Sequence, residues 1–83
     1  MNNKKKQKIS LDQKATYRIT VQGKLNNDWS DWVEDLSIEF GNDDMGNVIT
    51  TLTGRFDQAS LQGLLRRFYS LGIPLVSASC VDD

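Results

Sequence analysis

Residues 57–74, DQASLQGLLRRFYSLGIP, constrain this chain more than any other stretch. Leu61, Leu64, Leu65, Phe68 and Leu71 recur at spacings of three and four, so a 3.6-residue helix gathers them into one apolar stripe. Asp57 stands where an N-cap carboxylate accepts a hydrogen bond from a first-turn N–H. Gly72 follows the stripe, where a left-handed residue closes a helix, and Pro74 blocks any restart. Such a stripe must be covered by something flat and apolar. The flanking segments read as the strands that supply it.

Tyr17, Ile19 and Val21 alternate with Arg18, Thr20 and Gln22, the period-2 pattern of a half-buried strand over 16–23. In DWSDWVEDL, Trp29, Trp32, Val33 and Leu36 fall on a helical stripe, and Asp28 is placed to cap it. A short helix of two turns is expected there. Leu36, Ile38 and Phe40 alternate as a second strand, GNDDMGN over 41–47 is dense in turn residues, and VITTLTGRF over 48–56 is a β-branched third strand. Residues 75–81, LVSASCV, close the chain as a fourth strand, too polar on one side to be central on both faces. The order β-α-β-β-α-β predicts an α+β sandwich, ferredoxin-like or ACT-like, with two helices on one face of a four-stranded antiparallel sheet. If the first crossover is only a loop, the alternative is β-β-β-α-β with a meander of the first three strands.

Eighty-three residues leave room for one core, assigned here to residues 15–83. Residues 1–14, with Lys4, Lys5, Lys6 and Lys8, read as a flexible basic tail. No apolar segment follows these lysines, so no secretory signal is expected, and no run approaches the roughly 20 apolar residues of a membrane span. The chain has no histidine and one cysteine, Cys80. That rules out an internal disulfide, a Ser–His–Asp triad and histidine-based metal binding. A reducing compartment suits this composition, and the cytoplasm is the expected location. A formal net charge of -1 argues against general affinity for nucleic acid or anionic membrane.

Several motifs, YRITVQGKL, W-S-D-W at 29–32, TLTG at 51–54 and DQASLQGLLRRFYSLGIPL at 57–75, together resemble a family of very short bacterial and archaeal proteins of unknown function. The shared pattern is W-S-x-W, then D-Q-A-x-L-x-G-L-L, then L-G-x-P-L. The resemblance implies a single compact domain. It brings no activity, substrate, cofactor or catalytic residue with it.

Among the residues themselves, Trp29 and Trp32 form the most conspicuous pair. One helical turn apart, they either fill the core beside Val33 and Leu36 or offer a stacking platform to a planar ligand. The core reading is favoured. Asp28, Asp31, Glu34 and Asp35, with Asp43 and Asp44, lack calcium-loop spacing and read as a solvated acidic face. Cys80 reads as a buried structural thiol. On the far side of the long helix, Ala59 and Gly63 form a shallow groove with Arg66 and Arg67 beside it to pair with carboxylates, a candidate docking face. A second candidate is the sheet face turned away from the helices, carrying Arg18, Thr20, Gln22, Ser37, Glu39, Ile49, Thr51 and Thr53. Thr and Gln stand where a nucleic-acid-binding sheet would show aromatics.

The expected function is a non-catalytic interaction or regulatory module without a cofactor, forming a homodimer or higher homo-oligomer. A small ligand would sit at a subunit junction near Trp29 and Trp32. The alternative is a small enzyme at that junction, using Arg18, Arg55 or an acidic residue.

Overall fold

The computed structural model describes residues 12–26, 29 and 35–81. Four strands and one helix occur in the order β1 (Ala15–Gln22), β2 (Ser37–Asn42), β3 (Val48–Phe56), α1 (Gln58–Ser70) and β4 (Leu75–Cys80). They form an α+β fold in which one helix lies on a four-stranded sheet ordered β2-β3-β1-β4. Every neighbouring pair is antiparallel. β1 and β2 therefore run in the same direction with β3 between them, and residues 23–36 carry the chain across one strand. The described elements follow the alternative order β-β-β-α-β, but the meander expected with it, with β1 beside β2, is corrected by the strand order.

The two-helix sandwich is also corrected, because α1 is the one helix among the described residues. Of the expected first helix, Asp28, Asp31, Trp32, Val33 and Glu34 lie outside the described residues. Its C-terminal end is settled by the backbone: Asp35 has φ 57°, a left-handed conformation that interrupts a right-handed helix before Leu36. The apolar spacing of Trp29, Trp32, Val33 and Leu36 does not outweigh that break.

Register puts the alternating apolar residues on one face. Ile19 lies opposite Leu52, Val21 opposite Thr50, and Ile38 also opposite Leu52. Leu61, Leu64 and Phe68 of α1 close over Tyr17, Ile19, Val21, Leu52 and Phe56 to make the core. Each fully buried large apolar side chain contributes about 1.5–3 kcal/mol. Tyr17 meets Phe56 edge-on, with centroids 6.3 Å apart, and its hydroxyl accepts a hydrogen bond from Gln58 Nε2 at 2.9 Å. That bond ties the start of the helix to the first strand.

Both ends of α1 are closed as the sequence requires. The Asp57 carboxylate accepts from Ser60 N–H at 2.8 Å. At the other end, Leu71 N–H reaches the Arg67 carbonyl and Ile73 N–H reaches that of Phe68, with Gly72 left-handed between them (φ 74°). Leu71 departs from its expected place. It is the C-cap rather than the last stripe residue and is 55 % exposed.

Between β2 and β3 the chain turns through residues 43–47. The Asp43 carboxylate accepts from the backbone N–H groups of Met45 and Asn47. These bonds hold its pKa below the ordinary carboxylate value. Asp43 is therefore a turn-builder.

Candidate functional site

The connection leaving β1 shapes a concave feature that takes in Trp29. Gly23 ends the strand in a left-handed conformation (φ 94°), and its N–H donates to the Val48 carbonyl. Thr50, fully buried on β3, then fastens the next three residues. Its hydroxyl donates to the Gly23 carbonyl at 2.6 Å and accepts from Leu25 N–H at 3.1 Å. A buried threonine is stable only with its hydroxyl satisfied, and here both of its roles are filled. Leu25 is thereby turned into the core, followed by Trp29, whose ring lies 4.9 Å from that of Phe68 at a tilt of 41°.

Between this connection and the C-terminal end of α1 lies a cleft of about 370 Å³, lined by Lys24, Leu25, Asn26, Trp29, Arg67, Leu71 and Ile73. Its floor is apolar and its rim carries two cations, Lys24 and Arg67. The Lys24 ammonium also sits 5.2 Å above the Phe40 ring, a cation–π distance. Such a lining suits a small molecule with an apolar body and an anionic group. The described lining residues include no carboxylate to serve as a base.

Trp29 thus does what the core reading expects, and one side of it also lines the cleft; Trp32 lies outside the described residues. Lys24 carries no sequence signal for this cleft, and Arg67 and Leu71 stand in it although the sequence places Arg67 beside the Ala59–Gly63 groove and Leu71 on the apolar stripe. Arg18 and Arg55 do not join this site: register places them with Thr53 and Thr16 on the opposite face of the sheet. Ala59, Gly63 and Arg66 are exposed on the solvent side of α1 and do not line the cleft. A Cβ built at Gly63 meets nothing within 4 Å, so that surface is open.

The outer sheet face is assembled as expected. Arg18, Thr53 and Ser37 lie in one cross-strand row, Thr20, Thr51 and Glu39 in the next, and Gln22 and Ile49 in a third. β4 adds Ser79 and Ser77 to the first two rows. The Thr20 and Thr51 hydroxyls lie 3.3 Å apart.

Cys80 corrects an expectation, being exposed rather than a buried thiol. The reason is its strand. β4 is an edge, and all six of its residues are exposed. Among the described residues no group of His, Cys, Asp and Glu could hold a metal ion, and no helix is long and apolar enough to cross a membrane.

Residues 16–79, well over half of the chain, match the family described as "Domain of unknown function (DUF8691)". No curated protein and no solved structure matches the chain.

Proposed function

We propose that this chain, which belongs to the DUF8691 domain family, is a non-catalytic interaction module that works by self-association in the cytoplasm. The observation that carries the reading is the condition of the sheet's β4 side. Leu71, Leu75 and Val76 are all at least half exposed, and all six residues of β4 are exposed. A domain this small buries a limited fraction of its surface, and association is a common way to cover what remains. Apolar side chains left open on an edge strand point to another protein surface.

Light scattering on the full chain tests this. The expected mass is twice 9.4 kDa or a higher multiple. A mass of one chain at millimolar concentration overturns it.

The Trp29 cleft supports a companion reading, uptake of a small anionic ligand with an apolar body. A thermal-shift panel of aromatic and aliphatic carboxylates tests it. A stabilising compound whose effect is lost in Lys24→Ala supports uptake at the cleft. The enzyme alternative is weakened by the placement of Arg18 and Arg55 across the sheet from Trp29.

A further inference from the structure

The two edges of the sheet differ in a way that selects one for pairing. β2 carries Glu39 and is flanked by Asp35, Asp43 and Asp44, so a second β2 beside it would bring like charges together. β4 and the residue after it, LVSASCV, contain no charge and no proline. Over 77–81 this edge carries neither a charge nor a proline to resist another strand, and its acidic residues, Asp82 and Asp83, come after that stretch. Self-pairing there opposes no two like charges, so a second copy of the same strand is a fitting partner.

Hydrogen-bond geometry says which groups are offered. Val81 N–H donates to the Thr16 carbonyl at 2.8 Å. In an antiparallel ladder the bonded pairs alternate, so Arg18–Ser79 and Thr20–Ser77 are the next bonded pairs between β1 and β4. Ser77, Ser79 and Val81 therefore turn their backbone groups inward to β1. Ala78 and Cys80 turn theirs outward. Opposite Thr20 and Val21 the register shifts by one residue, a bulge that takes in Val76 and twists that end of the strand. The regular part of the free edge is thus 77–81, and its centre is Ser79.

From this we infer that two copies of the chain join through β4, antiparallel, about a two-fold axis at Ser79. The inference rests on the self-association reading and gives it a surface and a register. Ala78 of each copy faces Cys80 of the other and exchanges both N–H···O=C bonds with it. Ser79 meets Ser79 across the axis as a non-hydrogen-bonded pair. The axis stands perpendicular to the sheet, so both helices lie on one side of a continuous eight-stranded sheet and the two threonine faces merge on the other. Register rows already place Ser77 and Ser79 on that threonine face, while Ala78 and Cys80, opposite Ile19 and Tyr17, lie on the helix side. The small side chains of Ala78 and Cys80 let the strands approach without a clash between helix-side residues.

Two kinds of variant test it. Ala78→Pro removes an outward N–H and leaves every β1–β4 bond in place, the setting in which an edge strand tolerates proline. It is expected to reduce the light-scattering mass to one chain with an unchanged far-UV spectrum. Ser79→Cys in a Cys80→Ser background places two thiols across the axis with Cα atoms about 4.5 Å apart. That falls within the disulfide range of about 4.4–6.8 Å, so mild diamide oxidation is expected to cross-link nearly all of the protein. The parent Cys80 pair is offset by two residues along the strands, beyond the limit of about 7 Å, and is expected to cross-link at least tenfold more slowly.

A parent dimer that resists cross-linking at position 79 overturns the inference and leaves self-association to another surface. Faster cross-linking by Ala78→Cys/Cys80→Ser than by the Ser79 variant overturns the register. A parent that is monomeric throughout overturns both readings. If deletion of residues 1–11 then makes it dimeric, the edge is occupied by the chain's own N-terminal segment. Should Ala78→Pro fail to fold, the cross-linking comparison alone decides.

Discussion

Thr50→Val separates two accounts of how the β1–β2 connection is held. Thr50 is fully buried, so replacing its hydroxyl by a methyl group keeps the volume and adds apolar area in the core. Area alone gives a gain of up to about 0.8 kcal/mol. Against this, the variant loses the bonds to Gly23 and Leu25. The Gly23 carbonyl belongs to an exposed residue and can turn to water, so its loss costs about 0.5–1.5 kcal/mol. Leu25 N–H is buried and has no water to turn to, which costs about 1–3 kcal/mol. The net expectation is a destabilisation of about 1–3 kcal/mol. For a domain of this size that lowers Tm by about 4–8 °C per kcal/mol. Thermal denaturation of Thr50→Val beside Thr50→Ser is the assay, with amide exchange at Leu25 as the local readout. Leu25 should exchange faster in the valine variant and retain its protection in the serine variant. A valine variant as stable as the parent, with Leu25 still protected, refutes the claim that this hydroxyl anchors the connection.

Asp57 should make the helix start sensitive to acid. Bonds from Ser60 hold its folded pKa below the ordinary value of 3.8, so its contribution is complete above that value and is lost as pH falls through the lower folded one. Asp57→Asn keeps a capping oxygen without a titrating group, and its Tm should fall less than the parent's between pH 5 and pH 2; equal falls count against the assignment. Gly63→Ala adds a Cβ into open space and removes unfolded-state freedom, so stability should rise by about 0.4–1 kcal/mol in urea unfolding. The light-scattering mass should not change if the proposed β4 pairing holds; a monomeric Gly63→Ala would return the docking face to Ala59, Gly63 and Arg66.

Where one interaction dominated, the sequence was easy to read. Alternation in β1 and β3 predicted the core face. Asp57 and Gly72 marked the ends of α1, because a cap and a left-handed glycine act through groups within a few residues. The outer face followed from parity alone, and Arg18, Thr20, Thr51 and Thr53 stand together as expected. Three features were not legible. Asp35 carries a left-handed backbone that no local signal beyond its residue type announces, so the stripe ending at Leu36 was read as unbroken helix. Leu71 satisfied the helical period yet lies at the cap, since hydrophobic spacing does not sense where the hydrogen bonds stop. Cys80 has an apolar neighbourhood in sequence, but its exposure goes with its place on an edge strand, and that is decided by strand order. The cleft was half legible. Trp29 advertised it, while Lys24 and Arg67 arrive from segments 43 residues apart and share no motif.

Amide hydrogen exchange along β4, followed from micromolar to millimolar protein, tests the central claim most directly. Ser77, Ser79 and Val81 are protected by β1 at every concentration. Pairing at the β4 edge predicts that Ala78 and Cys80 exchange freely in dilute solution and become protected together as the concentration rises. Free exchange of both amides at millimolar concentration, while their three neighbours remain protected, would contradict it.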